Sequence, residues 1–114
     1  MVADVGAFDM NVLLVGRKGV VVEDVQKQLD LPNVRLLGGT GIDDVRAALR
    51  ETQIHHVIIG GGLDLEQRIQ IVREVFESSD VTTVHLKDHA TGPEGFYSFV
   101  SSVLRGLRDY PLGE

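Results

Sequence analysis

Apolar residues fall in four short runs along the chain, and each run is followed by a turn and a stretch with a different rhythm. The runs begin near Asn11, Val34, His56 and Thr83. Short continuous apolar runs read as strands, and apolar residues recurring every three or four positions read as amphipathic helices. Such units, spaced by somewhat more than twenty residues, predict a parallel sheet whose crossovers are helical and right-handed. No Ser/Pro-rich linker or low-complexity stretch divides them. Residues 1–114 therefore read as one α/β domain, with 1–10 as an N-terminal arm.

The helical stretches carry their own start signals. Thr40-Gly41-Ile42-Asp43 and Thr91-Gly92-Pro93-Glu94 read as capping boxes, with Pro93 in the tolerated first turn. Asp64-Leu65-Glu66-Gln67 is a variant with aspartate as the cap. Behind these caps, Ile42, Val45, Ala48 and Leu49 form one predicted core face, and Leu65, Ile69, Val72 and Phe76 another. The last helix has a broader stripe of Phe96, Phe99, Val100, Val103, Leu104 and Leu107. A first helix is expected around Val22, Val25 and Leu29, although Val20-Val21-Val22 is β-branched.

Strand composition predicts an order. Val12–Val15 and Val57–Ile59 are unbroken apolar runs, as strands covered on both faces require. The second run contains Arg35, and in the fourth Thr83, His85 and Lys87 alternate with Val84 and Leu86, which suits an edge. Strands 1 and 3 thus belong at the centre. The expected fold is a three-layer α/β/α sandwich around a four-stranded parallel sheet of order 2-1-3-4. That is the flavodoxin-like member of the Rossmann-like folds. The dinucleotide-binding order 3-2-1-4 would push the very apolar third strand to an edge.

Composition narrows the function classes. Seventeen acids against eleven bases give a net charge of −6, and no basic cluster exceeds two residues. Nucleic-acid binding needs a basic footprint to release phosphate counterions, so it is not expected. The chain has no cysteine, which removes thiol catalysis, Cys-ligated zinc and disulfides. MVADVGAFDM lacks the basic start and apolar run of a signal peptide, and no apolar run approaches a membrane span. A cytoplasmic protein that does not bind membranes is the expectation.

Unit spacing, the second helix GIDDVRAALRE and the third unit HHVIIGGGLDLEQRIQIVREVF resemble a receiver domain of the response-regulator type over most of Asn11–Leu107. The resemblance implies a receiver-like binding or interaction module, but the family's chemistry is missing. Receivers carry paired acids after strand 1, where this chain reads Gly16-Arg17-Lys18. They carry a phosphoacceptor aspartate at the end of strand 3, where it reads Ile59-Gly60-Gly61-Gly62. A fifth strand with its lysine is not evident. Without an acceptor carboxylate there is no nucleophile for aspartyl phosphate, so the resemblance implies a degenerate receiver-like domain.

In open parallel sheets, ligands bind beyond the carboxyl ends of the strands, where the strand order reverses. Order 2-1-3-4 puts Gly16, Arg17 and Lys18 on one side of that point and Gly60, Gly61 and Gly62 on the other. Glycines let a ligand approach the backbone, and a helix N-terminus behind them favours an anion. Lys87, paired with Asp88 at the end of strand 4, adds a charge to the same rim. A nucleotide or another phosphate- or carboxylate-bearing molecule is the ligand this pattern would take. Neither GxxxxGK[ST] nor GxGxxG is present, so the same glycines also read simply as tight turns. Gly38-Gly39-Thr40-Gly41 is similar to a short-chain dehydrogenase turn but follows the wrong strand.

No catalytic constellation emerges. Ser78-Ser79 and Ser101-Ser102 have no GxSxG setting. His55 and His56 start strand 3, whereas His85 and His89 flank the end of strand 4, so no metal spacing results. No cofactor is implied. Two readings remain open: a non-catalytic interaction module, or a small-molecule-binding protein, catalytic or not, using the rim loops. For partners, the broad stripe of Phe96, Phe99, Val100 and Val103 beside an edge strand predicts a homodimer through helix 4 and strand 4, with a protein partner also open.

Overall fold

The computed structural model describes residues 10–17 and 22–109. Four strands, β1 (Met10–Val15), β2 (Val34–Gly39), β3 (His56–Ile59) and β4 (Thr83–Leu86), alternate with four helices. The helices are α1 (Val22–Leu29), α2 (Ile42–Glu51), α3 (Leu65–Ser78) and α4 (Phe96–Asp109), the last entered through a 3-10 turn at Pro93–Gly95. All strand pairs are parallel and the sheet order is β2-β1-β3-β4, as the strand composition predicts.

Alternation along β1 and β3 divides the core in two. Val12, Leu14 and Ile58 face α1 and α4, where Leu29, Val100 and Leu104 meet them. Leu13, Val15, Val57 and Ile59 face α2 and α3, where Val45, Ile71 and Val75 close the second layer. Both central strands are apolar throughout because successive side chains enter opposite cores. Each fully buried aliphatic contributes roughly 1.5–3 kcal/mol of transfer free energy.

Several local expectations are corrected. Asp64 does cap α3 in a full capping box: Gln67 N donates to Asp64 Oδ1 at 2.9 Å and Asp64 N donates to Gln67 Oε1 at 3.2 Å. The Thr40 box does not form, because α2 starts after Gly41 and the acid three residues beyond that cap is Asp44. Asp44 Oδ2 accepts instead from Thr40 N at 2.8 Å. Thr91 does not cap either, since its hydroxyl is committed to Lys87 and Asp88.

The predicted core face of α3 is also corrected. Ile71 and Val75 are the buried pair, while Leu65, Ile69 and Phe76 are 64%, 48% and 58% exposed. At 100° per residue these three lie roughly a third of a turn from the core arc, and Val72 lies between the two. In the α4 stripe Val100 is fully buried, and Phe96, Phe99 and Val103 are partly buried against the same cluster.

The two sheet edges differ. Even-numbered residues of β2 point their backbone groups away from β1, since Asn33 O and Gly39 O are the ones accepting from β1 and the loop after it. Gln26 of α1 covers them: its Nε2 donates to Val34 O at 2.9 Å and its Oε1 accepts from Leu36 N at 3.1 Å. At β4, Thr83 N and Lys87 N donate to β3, so Val84 and Leu86 direct their groups outward. Among the described residues no side chain bonds to them.

Candidate functional site

Three loops meet at the carboxyl ends of β1, β3 and β4. Gly16 follows β1 and is held by Gly16 N donating to Gly39 O at 3.1 Å; Gly60 N donates to Val15 O at 2.8 Å, tying the β3 loop to β1. A crevice of about 270 Å³ opens between these loops, lined by Arg17, Gly61, Gly62, Lys87, His89 and Phe96.

Glycine is required where the loops touch. A Cβ on Gly61 would stand 2.4 Å from the Asp88 carbonyl oxygen, so the β3 loop and the loop after β4 press backbone on backbone. His89 Nδ1 lies 3.0 Å from Gly61 O and joins them from the other side. A Cβ on Gly60 would stand 3.3 Å from the Phe96 ring, which walls the crevice.

Lys87 is the buried charge of this rim, only 3% exposed. Its Nζ donates to Thr91 Oγ1 at 2.6 Å and to Asp88 O at 3.1 Å, and stands 3.5 Å from Asp88 Oδ1. Thr91 Oγ1 in turn donates to Asp88 Oδ1 at 2.6 Å. That hydroxyl, with Thr91 N and the Lys87 ammonium, holds the Asp88 carboxyl below the usual range. Lys87 is therefore a strut that shapes the loop, with its hydrogen bonds spent internally. Among the described residues lining the crevice, Arg17 is an exposed cation.

Of the residues singled out in the sequence, Arg17, Gly61, Gly62 and Lys87 line one crevice, with Gly16 and Gly60 in the loops that hold it. Lys18 lies outside the described residues. His89, Phe96 and Thr91 were not predicted for the site. His89 is one residue beyond the Lys87-Asp88 pair, which is the only signal that could have pointed to it. Phe96 and Thr91 read in the sequence as core and cap.

The histidines do not converge on the rim. His89 is on the crevice, whereas His85 sits with His56, ring centroids 5.6 Å apart. The Thr83 hydroxyl is hydrogen-bonded to His56 Nδ1 and lies 3.0 Å from His85 Nε2. Among the described residues no three metal-ligating side chains group together. Ser78 Oγ donates to Glu74 and Ser101 Oγ accepts from Arg105. No described helix is long and apolar enough to cross a membrane. Comparisons with protein-family models, curated proteins and solved structures give no match for this chain.

Proposed function

We propose that the chain is a non-catalytic, receiver-like binding module whose rim crevice takes a small molecule bearing phosphate or carboxylate. The observation that carries this is the convergence of Arg17 with the backbone of Gly61 and Gly62 over a crevice at the strand-order reversal. The glycine loop leads into α3, whose amino end favours negative charge. In a chain of net charge −6, an exposed cation beside bare backbone is a selective feature for an anion. The lack of a carboxylate after Ile59 supports action by binding and contact over phosphoryl transfer. Absence of cysteine fits a reducing compartment, so a cytoplasmic site of action is part of this reading, as is self-association.

Thermal shift against a panel of nucleotides and phosphorylated metabolites tests it, because a ligand of the native state raises stability by mass action. At least one saturable shift is expected, and it should vanish in Arg17→Glu without loss of the unliganded melting temperature. A panel that shifts nothing, or shifts both proteins alike, overturns the assignment.

A further inference from the structure

Among the described residues the sheet covers one edge with a side chain and leaves the other bare, and that bare edge is flanked by apolar surface. The contrast is specific. Gln26 pairs with the outward backbone groups of β2, and Arg35 adds a charge there. Thr83–Leu86 has no charged residue, and among the described residues nothing bonds to the outward groups of Val84 and Leu86. Beside this edge stands the outer flank of α3, with Leu65, Ile69 and Phe76 exposed, and Leu86 itself is 45% exposed. On the opposite face of β4 runs a trough of about 520 Å³ between the strand and α4, lined by Lys87, Ser98, Phe99 and Ser102 among others. Unprotected edges with apolar flanks recruit another strand.

We infer that the occupant is a second copy of this chain, its β4 antiparallel to the first, making one eight-stranded sheet with α3 packed against its twin. Self-complementarity selects a second copy over other strands. With Val84 and Leu86 carrying the outward groups, the fullest overlap pairs Val84 with Leu86 of the second copy and sets His85 on the twofold axis. The helices agree with that axis independently. Arg68 Nη1 is 3.5 Å from Lys87 O, which sets that turn of α3 level with Lys87. Two strand residues back to His85 span roughly 6.6 Å, or about four helical residues forward, near Val72. A twofold close to that level runs the two α3 helices head to tail. Ile69 then lies opposite Phe76 of the second copy, and Val72 faces its own twin across the axis. The apolar positions meet, from one sequence. This inference does not depend on the rim ligand.

Sedimentation velocity over a concentration range, on the full chain, is the test. The wild type is expected to form a dimer. Ile69→Glu and Leu86→Pro should each raise its dissociation constant by at least ~10-fold while leaving the circular dichroism spectrum and melting temperature near wild type. The chain has no cysteine, so H85C offers a second readout: facing residues of a non-hydrogen-bonded antiparallel pair lie ~4.5 Å apart at Cα, within disulfide reach. Mild oxidation of H85C should give a covalent dimer. A wild type that stays monomeric, as it would if its own N-terminal arm covered α3, overturns the inference. So does a dimer indifferent to both substitutions, or H85C that fails to cross-link.

Discussion

His56 and His85 stand on neighbouring strands with their rings 5.6 Å apart and the Thr83 hydroxyl between them. Burial, and then the charges of His85 and His55, lower the His56 pKa to about 4 from 6.5. Burial lowers that of His85 as well. Both shifts mean that the native state resists a proton the unfolded chain accepts. Stability is therefore full above about pH 6.5 and falls as the pH drops toward 4, below which His56 adds no further loss. Because the residue is partly exposed, solvent screening limits the His56 share to about 1–2 kcal/mol. Urea unfolding at several pH values, compared between wild type and His56→Gln, reads this out. The wild type should lose more stability than the variant across that window.

Gly61→Ala should destabilise the chain by roughly 1–3 kcal/mol. The added methyl would meet the Asp88 carbonyl, a backbone atom that cannot rotate aside. Thermal or chemical denaturation measures the cost. Gly41→Ala, where a Cβ meets nothing within 4 Å, is the matched control and should cost far less.

Lys87→Met keeps most of the buried stem and removes the ammonium that bonds Thr91 and the Asp88 carbonyl. A loss of about 1–2 kcal/mol is expected, because the bonds go while exposed Asp88 is left to water. Denaturant midpoints at unchanged slope would check it.

Incubation with acetyl phosphate and magnesium should leave the intact mass unchanged. The end of β3 presents Gly60, Gly61 and Gly62, which offer no acceptor oxygen on a side chain. Addition of one phosphoryl group would show that another residue has taken the role.

Gln26→Ala uncovers the outward groups of Val34 and Leu36. Loss of about 1–2 kcal/mol is expected, together with faster light-scattering growth at high concentration, since a second edge is now open.

The sheet was legible because Val12–Val15 and Val57–Ile59 can only be strands buried on both faces, and that alone puts β1 and β3 at the centre. The α3 face was misread because that helix carries two apolar arcs. Leu65, Ile69 and Phe76 match helical spacing as well as Ile71 and Val75 do, and periodicity does not say which arc meets the sheet. The rim was half legible. Glycine runs mark close backbone approaches, but that Gly61 meets Asp88 depends on a contact between loops 27 residues apart in number, which no local pattern encodes. Thr91 was misassigned for a related reason: the same hydroxyl that suits a cap also suits a buried ammonium, and Lys87 supplied one.

The internal bonding of Lys87 bears on how quickly a ligand could enter. Its ammonium, Thr91 and Asp88 fix the wall of the crevice before anything arrives, and His89 pins the opposite loop. Entry then requires no slow rearrangement, so the observed association rate should climb linearly with ligand concentration and show one exponential phase. Arg17 at the mouth would speed the encounter of an anion at low ionic strength, and added salt should slow it while leaving departure nearly unaltered.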